Sequence, residues 1–209
     1  AAVHKTGRKI DAVVVENKSG RYAIGVDRSV VDCTGDSDIC KFAGAKTVNF
    51  SQGNLLGAWH FAVEKGNYTL KTLGVADVPD KEKTKEVETL VNRRFGGLDG
   101  EELSQMVQLS HEKTYEAVLK ALAENPQYAI ATLPTIPQIR MTRRISGVYT
   151  MDDDEIRKDF PDSVGMFSDW RKRGPAYQLP FSTLYGHDVQ NLICAGRNIS
   201  VTDAMWDIT

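Results

Sequence analysis

Two apolar strands in this chain run directly into turns of small residues. One is Val30-Val31-Asp32-Cys33-Thr34-Gly35-Asp36; the other is Leu192-Ile193-Cys194-Ala195-Gly196-Arg197-Asn198. A short apolar run of this kind reads as a buried strand, and a glycine just beyond it allows a sharp turn or a close backbone approach. In open α/β sheets, ligands sit outside the carboxyl ends of the strands. The two segments therefore predict an α/β fold, with both strands in or beside one sheet and both turns at the same end. Either segment alone is a common strand–glycine turn, and together they only suggest a dinucleotide.

The rest of the pattern fills in around that frame. Ile10 to Glu16 is β-branched, Asn17-Lys18-Ser19-Gly20 supplies turn chemistry, and Arg21 to Val26 reads as a returning strand. A short helix suits Ser37 to Ala45. Residues 46–78 mix apolar stretches with Gly53, Gly57, Gly66 and Gly74 and have no clear boundaries. Pro79-Asp80 looks like a helix start, followed by Val87, Leu90 and Val91 on one face. Asp99 with Glu102 forms a capping-box pattern opening a long helix that Asn125-Pro126 stops. Its stripe of Leu103, Met106, Val107, Tyr115, Val118, Leu119 and Leu122 reads as core packing. Strands are expected at Tyr128 to Leu133, Ile139 to Ile145, Val148 to Met151, Ala176 to Leu179, Phe181 to Leu184 and Asn191 to Ala195. The acidic run Asp152 to Glu155 is expected to open a short helix, its carboxylates suiting the positive end of the dipole.

Composition narrows the partners. Net charge is −2, with 26 basic and 28 acidic residues, so neither nucleic acid nor an anionic membrane is demanded. No apolar run approaches the length that spans a bilayer. Cys33, Cys40 and Cys194 form no CxxC pair, which argues against a disulfide framework or a metal site and for small buried side chains in a reduced protein. The compartment is left open, with the cytoplasm favoured.

The order of four stretches goes further. Val31 to Asp38 with Ala43-Gly44-Ala45, Leu98 to Leu103, Ile139 to Gly147, and Asn191 to Ser200 resemble, in sequence and spacing, the FAD-dependent oxidoreductases related to the fumarate reductase flavoproteins. Residues 47–78 match least well. The resemblance implies FAD as cofactor, a small-molecule substrate and an electron partner of unknown identity. It also implies a partial FAD-binding domain, a β-meander plus sheet strands from residues 1–45 and 185–209, with a mixed α+β substrate lobe from residues 46–184. Such proteins hold the FAD pyrophosphate with a G-x-G-x-x-G turn at a helix N-terminus, and no such motif occurs in this chain. The expectation is a piece of a longer protein, lacking that unit and the glycine-rich segment near the flavin ring, and holding flavin weakly by itself.

By the same resemblance, Thr34, Gly35 and Asp36 face the pyrophosphate or ribose side, the other possibility being a plain tight turn with Asp36 capping the next helix. Gly196, Arg197, Asn198 and Ser200 resemble the loop over the flavin, where Arg197 adds positive charge, unless it forms a salt bridge elsewhere. Arg140, Arg143 and Arg144 are expected on one strand, with Arg140, Thr142 and Arg144 sharing a face. Arg140 and Arg143 are the candidates to hold a carboxylate-bearing substrate or the flavin, or else they pair with carboxylates of the protein. His187 is a candidate proton relay in a loop where solvated histidines are common. A non-catalytic binding or scaffolding domain is the alternative function. An NAD-binding Rossmann protein is disfavoured, because it needs the same absent fingerprint.

Overall fold

In a computed structural model, described for residues 2–74, 77–82, 89–134 and 136–209, the fold is a mixed α/β one assembled from small sheets. The chain packs as two units. One comprises Ala1–Ser51, Pro79–Lys81 and Met141–Thr209; the other comprises Gln52–Val78 and Glu82–Arg140. Residues 141–184, grouped with the lobe on sequence grounds, thus pack with the first unit.

In the first unit the β-branched run forms β2 (Lys9–Asn17), flanked by β1 (Ala2–Thr6) and β3 (Gly20–Gly25) in an antiparallel meander. The Asn17 side chain accepts from Ser19 N at 2.8 Å and closes the β2–β3 turn. Next come β4 (Val30–Asp32), the short helix α1 (Asp38–Phe42) and β5 (Thr47–Asn49).

The second unit contains β6 (Ala58–Glu64), set between β7 (Asn67–Leu73) and β8 (Ala129–Thr132), with the long helix α2 (Gly100–Glu124) packed on β6. Asp99 caps α2 as its sequence foretells, accepting from Glu102 N at 2.8 Å. The Glu102 carboxylate turns instead to Gly97 N and Gly96 N, at 2.7 and 3.1 Å, and so ties down the entry loop.

The chain returns to the first unit through β9 (Arg143–Ile145), which pairs antiparallel with β5. It continues with the antiparallel pair β10 (Ser163–Ser168) and β11 (Ala176–Pro180), and ends with β12 (Leu192–Cys194). The decisive pairing is β12 with β4. They run parallel, Leu192 opposite Val30, Ile193 opposite Val31 and Cys194 opposite Asp32. Parallel strands leave both following turns at the same end. Ile10, Met141, Ile145, Tyr177, Leu192 and Met205 are among the buried side chains of the single cluster beneath them.

Several expectations are corrected. Only Arg143–Ile145 of the segment 139–145 is strand. The Arg140 backbone N–H is captured by the buried Asn54 side chain at 2.8 Å, and Arg140 belongs to the second unit, so it does not share a strand face with Arg144. Residues 148–151 contribute one isolated bridge, Met151 with Val201. Asp152 to Glu155 forms turns rather than a helix, its carboxylates engaged elsewhere: Asp152 accepts from its neighbour Asp153 N and from the remote Thr202 Oγ1, and Glu155 from Lys158. Phe181–Thr183 is a single 3-10 turn that follows Pro180, the last residue of β11, whose carbonyl accepts from Thr183 Oγ1 at 2.7 Å. On α2 the buried face runs Met106, Ser110, Thr114, Val118, while Tyr115, Leu119 and Leu122 are exposed. Thr114 Oγ1 donates to Ser110 O at 2.8 Å, so hydroxyls satisfied inside the helix occupy the buried line. Of the segment expected to continue a helix beyond Pro79, only Asp80–Glu82 is described as a 3-10 turn, and Val87 lies outside the described residues.

Candidate functional site

The turn after β4 is organised by one fully buried carboxylate. Strand alternation points Asp32 inward, where an apolar residue would be the ordinary choice. It is tolerated because both oxygens are used. Oδ1 accepts from Thr34 N at 3.0 Å and Thr34 Oγ1 at 2.7 Å, and Oδ2 accepts from Cys40 N at 3.0 Å. Thr34 Oγ1 also accepts from Asp38 N at 3.0 Å, so the turn is fastened at both ends. Gly35 has φ +81°. A Cβ there would lie 2.9 Å from Arg197 Cζ, so glycine serves both the backbone and the close approach of the guanidinium.

The turn after β12 closes on the first. Ala195 N and Asn198 Nδ2 both donate to Asp32 O at 3.0 Å, and Arg197 Nη2 meets Asp36 Oδ1 at 2.7 Å. Asp36 also accepts from Thr142 Oγ1 at 2.5 Å. Arg143 braces the same turn from β9: Nε donates to Asp36 O at 2.8 Å and Nη2 to Asp38 Oδ1 at 2.7 Å. Thr34, Gly35, Asp36, Gly196, Arg197, Asn198 and Arg143 are therefore brought into one cluster. Ser200 is fully buried, and its hydroxyl accepts from Gly147 N at 3.0 Å and pairs with Thr150 Oγ1 at 2.9 Å, tying protein to protein. His187 is exposed in the loop leading to β12, and its carbonyl accepts from Arg8 Nη2.

Arg144 is the residue that sequence reasoning set aside. Arg143 beside it on β9 is committed, whereas among the described residues the Arg144 guanidinium makes two long contacts, to Ile145 O at 3.4 Å and Ser200 Oγ at 3.5 Å. Its Nε is buried without a partner. Burial holds its pKa below the usual arginine value, with the Asp203 charge acting against that. The arginine-rich run flagged the segment but could not say that Arg143 is the one that pairs with Asp38.

The cysteines divide by alternation. Cys33 is exposed, correcting the expectation that all three are buried, because it follows the inward-facing Asp32. Cys40 and Cys194 are fully buried with their sulfurs 3.2 Å apart. The contact with Cys194 and then burial push the Cys40 thiol far up, so it is no nucleophile at neutral pH. Asp32, Cys40 and Cys194 bring ligand-type atoms within 4.8 Å of one another. The carboxylate is committed to the turn and Cys40 resists ionisation, so the grouping is accounted for by packing.

In the second unit Arg140 lines a cavity of about 500 Å³ together with Trp59, Phe61, Leu70, Leu73 and Gln138. The same unit holds His60, buried and 2.6 Å from the Tyr128 hydroxyl.

With this geometry in view, comparison with protein families gives a match to the model described as FAD dependent oxidoreductase over residues 49–206, about three quarters of the chain. The chain belongs to the FAD-dependent oxidoreductase family. No curated protein and no solved structure matches it. The cofactor that goes with this family is FAD, and the activity is that of an oxidoreductase.

Among the described residues, Ser37 Oγ, Arg197 Nε and Asn198 Oδ1 are buried and have no hydrogen-bond partner. A polar group at the paired turns can instead reach the partly exposed Asp36 carboxylate and Arg197 guanidinium, one an acceptor and the other a donor. Among the described residues, no helix of this oxidoreductase is long and apolar enough to cross a membrane.

Proposed function

We propose that this chain forms part of a flavoenzyme that moves a hydride between FAD and a small organic substrate, as a piece of a longer protein. In this reading residues 1–45 and 185–209 carry the flavin-facing part, and the substrate lobe is drawn from residues 46–184. The observation that carries the reading is the parallel β4–β12 pair. Its two turns meet through Asp32 O and the Arg197–Asp36 ion pair.

Bound FAD supplies the two-electron chemistry that side chains lack. The residues of the chain hold and bias it. Thr34, Gly35 and Asp36 address the ribose and pyrophosphate side, with Asp36 held in place by Thr142 and Arg143. Gly196, Arg197 and Asn198 form the loop toward the ring, where Arg197 favours accumulating negative charge, and Ser200 anchors that loop. Arg140 orients a carboxylate-bearing substrate. His187 is exposed at the surface and is the proposed proton relay.

Titrating FAD into the protein and following flavin fluorescence tests this. Weak but saturable quenching is expected, because the chain has no G-x-G-x-x-G turn to cradle the pyrophosphate. Arg197→Gln should weaken it further, by about threefold to thirtyfold, the range for losing one charge-assisted contact. No quenching at any concentration, with a parent protein that shows no flavin absorption, would return the chain to a non-catalytic binding module.

A further inference from the structure

We propose that the outer edge of β10 pairs with the same edge of a second copy of this chain, antiparallel about a twofold axis at Met166. The pairing needs no flavin and stands apart from the flavoenzyme reading.

The strand β10 is held on one side. Its ladder runs to β11, and among the described residues no strand lies along its other edge. Phe167 turns inward and stacks on the buried Tyr177, ring centroids 5.5 Å apart, which fastens the strand to the core. Alternation then sends Val164 and Met166 outward, where they are 55% and 72% exposed. A monomeric protein ordinarily guards such an edge with a lysine, a proline or a bulge. Ser163 to Ser168 contains no charged residue and no proline. A bulge between Ser163 and Gly165 disturbs only the start, and Met166, Phe167 and Ser168 stay in regular register with Gln178, Tyr177 and Ala176. The outer edge of that regular stretch is open to a further strand.

The charges at its two ends point to which strand. Asp159 and Asp162 stand before β10; they accept from Gln178 Nε2 and Ser182 N, and neither has an ion pair among the described residues. Lys172 and Arg173 stand after it, both exposed. Lys172 reaches the buried Asp169 at 3.6 Å, and Arg173 meets no carboxylate among the described residues. The strand is therefore acidic at one end and basic at the other. A parallel copy would set like charges together. An antiparallel copy sets each acidic end beside the other's basic end, twice over, as a self-complementary twofold contact requires. With the axis at Met166, the two Met166 side chains meet on the solvent face. Val164 then faces Ser168 of the second copy, and Gly165 faces its Phe167, so every opposed pair shares a face of the joined sheet. Two hairpins become one four-stranded sheet. An edge of this length buries less than the roughly 800 Å² per partner of a standard interface, so the dimer should be weak, with a Kd of about 10–200 µM.

Sedimentation of the whole chain from about 5 µM to about 1 mM should show a reversible monomer–dimer equilibrium in that range. Met166→Lys changes a largely exposed position, so the chain should stay folded while the dimer weakens by about tenfold or more, since two like charges then meet at the axis. Arg173→Glu should weaken it by about twofold to thirtyfold, the range for two exposed ion pairs, and Asp159→Lys in the same chain should restore it. Cross-linking decides the register even if Met166→Lys does not fold. In a Cys33→Ser chain, which removes the exposed thiol, Met166→Cys should give a disulfide-linked dimer with diamide, because directly opposed residues lie about 4.5–5.5 Å apart. Val164→Cys should not, as its two copies would be beyond disulfide reach. A monomer throughout the concentration range overturns the proposal. So does a dimer that folded Met166→Lys or Arg173→Glu leaves unchanged, or cross-linking at Val164→Cys as fast as at Met166→Cys.

Discussion

Around the paired turns, eighteen buried side chains form one continuous cluster. In the unit with the cavity, the clusters of described buried apolar residues are two groups of three, Leu56, Phe95 and Met106, and Ala62, Val118 and Tyr128, with the buried Ala58 in neither. The first arrangement holds a rigid pair of strand ends, with a buried carboxylate and three bonded donors fixing one turn. The second leaves one face of a three-stranded sheet to line a cavity. Fewer buried apolar contacts mean a lower free energy of local opening. A flavin site needs fixed geometry, and a substrate site needs accessible apolar surface, so the division of core matches the proposed division of labour.

The sharpest way to break that comparison is Phe95→Ala. Phe95 is fully buried in a group of three among the described buried residues, with the Arg93 guanidinium 4.2 Å from its ring centroid. Truncating a buried phenylalanine costs about 3–5 kcal/mol. Hydrogen exchange should accelerate in residues 52–74 and 89–134 and stay slow around β4 and β12. Equal acceleration in both units would show that they share one cooperative core. Next in size is Asp32→Asn. The amide keeps the shape but places a donor against Thr34 or Cys40 donors, for about 1–3 kcal/mol. Urea unfolding of the first unit should register the loss, and exchange in the β6–β7 hairpin should not change.

How much of this was legible depended on whether a local rule and the tertiary demand agreed. The Asn17–Gly20 turn, the Asp99 cap and the strands ending at Asp32 and Cys194 were legible because pattern and environment coincide. The β10 strand was not. Ser163 to Ser168 is almost wholly exposed, so it carries no burial pattern to read. The core face of α2 hid behind the buried Ser110 and Thr114, the Thr114 hydroxyl being answered inside the helix by Ser110 O. At the site, the glycines and small residues announced two turns, and their convergence followed from parallel pairing. The roles of the arginines could not be read. Arg140, Arg143 and Arg144 stand close in sequence, yet one lines a cavity, one braces Asp36, and one buries its Nε and makes long contacts among the described residues. Those distinctions depend on partners remote in sequence: Asn54, Asp36, Asp38 and Ser200.

The smallest effect separates the units by pH. His60 is buried against Tyr128, and burial first, then the Lys71 charge, hold its pKa below its ordinary 6.5. Unfolding releases it to bind a proton, so its contribution is complete above pH 6.5 and is lost as pH falls through the lowered folded value. In the first unit, by contrast, Asp169 is depressed from 3.8, chiefly by its hydrogen bond with Arg171, and that contribution is intact until the pH drops below 3.8. Between about pH 7 and 5, then, the cavity unit should lose protection while the paired-strand unit keeps it. His60→Gln can still hydrogen-bond Tyr128 but does not titrate, so it should flatten the dependence. Exchange rates in β6 and β7, corrected for intrinsic chemistry, provide the readout. If those rates hold steady from pH 7 to 5 in the unaltered protein, His60 is not what distinguishes the two units.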